Sequence, residues 1–144
     1  MVKKRRYLID SSVIMALFNE EDRQYKKAIE TFKRIKKEKR DIKISCITVI
    51  ELISLMKYKN FNGWQKYGEK LIDGSMFILD NGYIFDPNDL SWNLVIKKEK
   101  IGMVDAIEIE HCLQNDEELL TFDEAQNKVW KELDTRKIDI KLKK

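Results

Sequence analysis

The stretch RRYLIDSSVIMALFNEED, Arg5 to Asp22, decides how the chain is read. Tyr7, Leu8 and Ile9 form a short apolar run that ends in an acid, Asp10. Two serines follow, and then Val13, Ile14, Leu17 and Phe18 recur at helical spacing. A buried strand that passes straight into a helix opens an α/β unit. A carboxylate at that junction is costly to desolvate. Asp10 is therefore either the cap of the helix or one member of a carboxylate cluster, and the rest of the chain has to decide between them.

Strand-like and helical runs alternate from there on, which predicts an α/β fold with a central, mainly parallel sheet flanked by helices. After the strand Tyr7 to Asp10 and a helix over Ser12 to Phe18, a longer helix is predicted over 23–39, with Tyr25, Ala28, Ile29, Phe32 and Ile35 on one face. Ile42 to Cys46 reads as a second strand, followed by a helix from near Thr48 to about Lys59. Trp64, Tyr67 and Leu71 mark another helical face that ends at Gly74. Asn81-Gly82, between MFIL and YIF, carries the signal of a type I′ hairpin or of a loop beside one short parallel strand. Asp86-Pro87 has the form of a helix start, with Leu90, Leu94 and Val95 on that helix. A further helix is predicted over 104–113, a buried strand over 118–121, a helix carrying Val129, Trp130 and Leu133, and an edge strand over 138–142.

The 144 residues suffice for one domain with its own core. At 43% hydrophobic and 37% charged residues, the composition is that of a globular chain with a heavily charged surface. The net charge of +3 permits a nucleic-acid partner without requiring one. The segment from Lys26 to Arg40 and the two chain ends are basic, as solvated helix faces or as backbone contacts to RNA. Cys46 and Cys112 lie far apart, form no zinc-type pair, and read as small core residues. No secretory leader or membrane-length apolar run is evident, so a cytoplasmic location and no membrane partner are expected.

Two strands share one layout, since YLID ends in Asp10 and ELLTFD ends in Asp123. In an open parallel sheet the carboxyl ends of the strands form the ligand-binding edge. Glu51 is expected in the first turn of the helix after the second strand, and Asp105 in the first turn of its own helix. Each acid has a structural reading. Asp10 and Asp123 sit where caps sit, Thr48 to Glu51 fits a capping box, and Asp105 would complement a helix dipole. Four acids brought to one edge would repel, however, and their pKa values would rise unless a cation neutralised them. A hard divalent ion suits an all-oxygen pocket, and two such ions about 3.5–4 Å apart activate water and stabilise a leaving oxygen.

The motifs YLIDSSVIMALF, ITVIEL, MVDAIEIEHC and LLTFDEAQ, in that order, resemble the PIN domain, especially the small single-domain ribonucleases of the VapC toxin type. The resemblance spans nearly the whole chain. It implies that Asp10, Glu51, Asp105 and Asp123 are metal-binding catalytic acids. Ser11 or Ser12 matches the hydroxyl that supports the first acid, and Thr121 the hydroxyl before the last. It further implies a three-layer fold, Mg²⁺- or Mn²⁺-dependent cleavage of RNA, frequent homodimers, and inhibition by a cognate antitoxin.

Other residues stand outside that pattern. Glu108, one turn beyond Asp105, is a supporting base, an extra ligand, or a solvated or salt-bridged side chain. Asp22 and Asp116 read as loop acids, and His111 as a surface or satisfied histidine. Trp64, Trp92 and Trp130 read as core or dimer-interface anchors. A phosphatase using Asp10 as nucleophile would want a second acid where Ser12 stands, and a phosphoreceiver built on Asp80 lacks the early acidic pair. An RNA-processing nuclease outside a toxin pair, or a non-catalytic RNA-binding PIN module, are the remaining readings.

Overall fold

A computed structural model describes residues 4–80 and 88–134. Four parallel strands form the sheet, in the order β3-β2-β1-β4. They are β1 (Tyr7–Ile9), β2 (Ile42–Ser45), β3 (Ile78–Asp80) and β4 (Glu118–Leu120). The helices are α1 (Ser11–Phe18), α2 (Tyr25–Glu38), α3 (Cys46–Tyr58), α4 (Trp64–Ile72), α5 (Asp89–Lys97), α6 (Met103–Asn115) and α7 (Glu124–Leu133). This is the α/β arrangement expected of the sequence. The hairpin signal at Asn81-Gly82, the start at Asp86-Pro87 and the strand over 138–142 fall outside the described residues. The helix that follows begins at Asp89, with Asn88 as its cap.

The alternation of side chains along each strand divides the core into two layers. Tyr7, Ile9, Ile44 and Leu120 face a cluster with Val13, Ile14, Ile35, Leu52, Met56 and Leu71. Leu8 and Leu119 face the opposite way, onto Ile101, Ile107, Ile109, Cys112 and Trp130. The first four helices thus cover one face and α5 to α7 cover the other. Helix α2 is amphipathic, burying Ala28, Thr31 and Ile35 while its lysines stay outside, and Thr31 satisfies its hydroxyl on the Lys27 carbonyl at 2.7 Å. Among the described residues no helix is long and apolar enough to cross a membrane.

Basic side chains along the sheet are held by acids. Arg5 forks onto Asp134 with two bonds of 3.1 Å, and Arg40 reaches Glu118 at 2.6 Å while lying over the Tyr7 ring. Lys43, in β2, bridges Asp80 and Glu117 at 2.7 Å each. Burial alone would lower its ammonium, but the bonds to those two carboxylates hold it above its ordinary value. His111 Nε2 lies 2.8 Å from the other Glu117 oxygen, so the single histidine is buried in an ion cluster rather than exposed.

Candidate active site at the carboxyl edge

The strand order fixes where a ligand site can form. From β1 the chain winds outward through β2 to β3 on one side, then crosses to β4 on the other side of β1. The connections diverge at the carboxyl ends of β1 and β4, which leaves a crevice there. Asp10 leaves β1 and Thr121 to Asp123 leave β4 at this point.

Asp10 is buried and caps α1 through Ser12 N–H at 3.2 Å. The same oxygen, Oδ2, accepts the Ser12 hydroxyl at 2.7 Å and the Thr121 hydroxyl at 3.1 Å. Ser12 Oγ in turn accepts the Phe122 N–H at 3.0 Å, and Thr121 Oγ1 accepts the Asp123 N–H at 3.1 Å. The two crossings are tied together through these hydroxyls, and Ser12 rather than Ser11 is the supporting serine. Asp123 caps α7 by accepting the Gln126 N–H at 2.9 Å, and its residue stays exposed. Capping and clustering are therefore not alternatives. Both junction acids cap with one part of the carboxylate and belong to the acidic edge as well.

The other acids come from α3 and α6. Asp105 stands in the first turn of α6, accepts the Gly102 N–H at 3.3 Å, and is pushed up to about 6. Burial is the main cause, and the charges of Asp10, Asp123 and Glu51 add to it. Glu51 is raised by burial and by Asp10, although its residue surface is exposed and it stands at the rim. The four expected acids are therefore near enough to feel one another.

The capping box expected over Thr48 to Glu51 does not form. Helix α3 starts two residues earlier, at Cys46, and Ser45 is its cap, accepting the Thr48 N–H at 3.1 Å. Glu51 consequently lies in the second turn rather than the first. Thr48 turns its hydroxyl inward and donates it to Glu108 Oε1 at 3.0 Å. Glu108 is 1% exposed, so its reading as a solvated side chain is overturned. Its other oxygen accepts from Gln126 Nε2 at 3.2 Å. Burial first, and then Asp10, hold its carboxyl well above the usual range. Gln126 is the residue the sequence reading missed, and its only signal was a polar side chain one turn into a helix whose core face is otherwise apolar.

Among the described residues no three Asp, Glu, His or Cys side chains close tightly enough to clasp an ion as they stand. The donor chemistry nevertheless fits a hard divalent cation: the donors are carboxylate oxygens, and no lysine, arginine or histidine of the described residues pairs with Asp10, Glu51, Asp105, Glu108 or Asp123. Arg5, Arg40 and Lys43, beside the sheet, are engaged by other acids.

A model of the PIN domain family matches residues 7–132. The chain belongs to the PIN domain family. Among solved structures, this PIN domain is similar to the Mycobacterium tuberculosis protein VapC20, described as a Sarcin-Ricin loop cleaving toxin. The TM-score is 0.66 at 14% identity, covering 85% of this chain and 94% of that one, and the likeness is one of fold. No curated protein sequence matches the chain.

Proposed function

We propose that this PIN domain is a Mg²⁺- or Mn²⁺-dependent endoribonuclease and the toxin of a toxin–antitoxin pair. The observation that carries the reading is the acidic edge: Asp10, Glu51, Asp105 and Asp123 come together with no basic partner among the described residues, and burial, with their mutual charge added, raises Glu51 and Asp105. A scaffold gains nothing from such repulsion, whereas a cation site needs it. Family membership and the fold shared with a toxin support the same reading.

In this reading the four acids would hold the ion, which would supply an activated water and charge neutralisation at the scissile phosphodiester. The chain's own groups do the rest. Ser12 and Thr121 fix one oxygen of Asp10, so that its carboxylate is oriented before any ion arrives. Gly102 N–H does the same for Asp105. Lys27 Nζ, 4.7 Å from the Phe122 ring centroid, puts a cation and an aromatic face beside the junction that carries Asp123. A phosphate and an unstacked base suit that pair.

The antitoxin is proposed to place a basic side chain among the acids, where an arginine would neutralise them through paired hydrogen bonds. A homodimer is proposed through apolar side chains left exposed on the early helices α3 and α4, Ile50, Tyr58 and Ile72. The test is cleavage of single-stranded RNA by the purified protein with Mg²⁺ or Mn²⁺, with EDTA and Asp105→Asn as controls. Cleavage lost in both controls supports the nuclease. RNA bound but cut by neither metal favours the non-catalytic module. Cleavage that the product of an adjacent small reading frame leaves unchanged removes the toxin assignment and keeps the enzyme.

A further inference from the structure

Glu108 is the one carboxyl at this edge to which the proposed reaction gives no task. A fully buried carboxyl with no counter-charge is among the costliest groups to keep in a core. Its oxygens are nevertheless met by donors. Ser45 Oγ donates to Thr48 Oγ1 at 2.9 Å, and Thr48 Oγ1 passes its own proton toward Glu108 Oε1 at 3.0 Å. Gln126 Nε2 meets the second oxygen at 3.2 Å. Both oxygens thus face donors, while the Asp10 carboxyl, also hydrogen-bonded to Glu108, favours a proton between the two when no cation is bound.

Gln126 adds an independent sign. Its residue is fully buried, and its amide nitrogen reaches the Asp105 carbonyl at 3.3 Å as well as Glu108, so the amide is wedged between the two acidic residues. Its amide oxygen has no hydrogen-bond partner. A buried amide oxygen left unmatched is destabilising. Two acceptor-bearing side chains from α6 and α7 therefore converge behind Asp10 and Asp105 with nothing positive between them.

We propose that Glu108 is a fifth carboxylate of the cation site, held in place by Thr48 and Gln126, and that the unmatched Gln126 oxygen accepts from the ion's water shell. The inference rests on the metal-dependent reading above and adds to it a buried floor. A cation there is held against charge that solvent cannot screen.

Glu108→Gln tests it. The substitution keeps the shape, and the Gln126 amide can turn over so that its oxygen accepts the new N–H. Mn²⁺ binding is measured by calorimetry on the metal-free wild type, Glu108→Gln and the exposed-site control Glu132→Gln. The expected result is about tenfold weaker Mn²⁺ binding in Glu108→Gln, no change in the control, and a metal-free melting temperature no lower than wild type. Thr48→Val, which leaves the charge and removes its donor, is expected to weaken Mn²⁺ severalfold and keeps the test open if the first variant does not fold. Mn²⁺ affinity equal to wild type in the folded variants overturns the role of Glu108 and leaves the metal reading standing. A wild type that takes up no Mn²⁺ overturns both.

Discussion

Thr121 donates its hydroxyl to Oδ2 of Asp10 at 3.1 Å, across 111 positions of sequence. The bond joins the two strand exits that flank the crevice. The same Thr121 oxygen accepts the Asp123 N–H, so one side chain orients the first acid and the last. Thr121→Val keeps the shape and removes both. Its expected cost is about 1–3 kcal/mol, read by urea unfolding, together with weaker Mn²⁺ binding. An unchanged unfolding midpoint would deny the hydroxyl this double role.

Asp10→Asn separates capping from chemistry. Asn caps a helix about as well as Asp, so α1 should form and the metal-free protein should melt close to wild type. Loss of the charge should lower RNA hydrolysis by roughly a hundredfold or more. A folded variant that cuts RNA at the wild-type rate would leave Asp10 only its capping task.

The raised acids predict how metal-free stability varies with pH. Asp105 is raised to about 6 in the folded state, whereas an unfolded Asp titrates near ~3.9. Between those values the folded chain holds more protons, so stability is greatest below the unfolded value and declines as pH rises toward 6 and past it. Glu108, also held well above its ordinary value by burial and by Asp10, contributes in the same direction. Melting curves from pH 4 to 8 in EDTA should show it, and Asp105→Asn should flatten it. Saturating Mn²⁺ should reverse the slope, because the ion takes up ionised carboxylates. A flat profile in EDTA would mean that neither burial nor the neighbouring charges raise these acids.

Lys27 lies over Phe122 at the rim, where it is placed to meet one phosphate. Lys27→Ala is expected to weaken RNA binding for all sequences alike and to lower the salt slope by about one counterion. Melting behaviour and Mn²⁺ affinity should not change. A salt slope identical to wild type would move the RNA track elsewhere.

Lys43 holds Asp80 and Glu117 together beneath α6. Lys43→Met removes the ammonium and leaves two largely buried acids facing each other beside His111. Breaking a buried pair in this way costs about 3–5 kcal/mol, measurable by denaturant unfolding at pH 7. A loss below about 1 kcal/mol would make the cluster a surface feature in energetic terms.

Periodicity and spacing were enough to place the described elements within a few residues, because a period of two or of 3.6 is a property of neighbouring side chains. The pattern at Thr48 to Glu51 misled for the same reason: it fits a cap locally, but Ser45 lies one turn earlier and claims the Thr48 N–H. What Thr48 does with its hydroxyl depends on Glu108, 60 positions away. Glu108 has the look of a surface residue when only its helix is considered, and it becomes buried because α3 and α7 close over that side of α6.

The sequence by itself determined the alternating fold, the family, and the four candidate acids Asp10, Glu51, Asp105 and Asp123, since each is encoded in short, ordered motifs. It left open whether Asp10 caps or clusters, which serine lies against it, and where the side chains of Glu108 and Gln126 go. Those were decided only by the strand order β3-β2-β1-β4. That order sets the exits of β1 and β4 side by side and packs α6 behind them. Charge repulsion and burial act through space, so their consequences exist only once segments remote in the chain have been brought together.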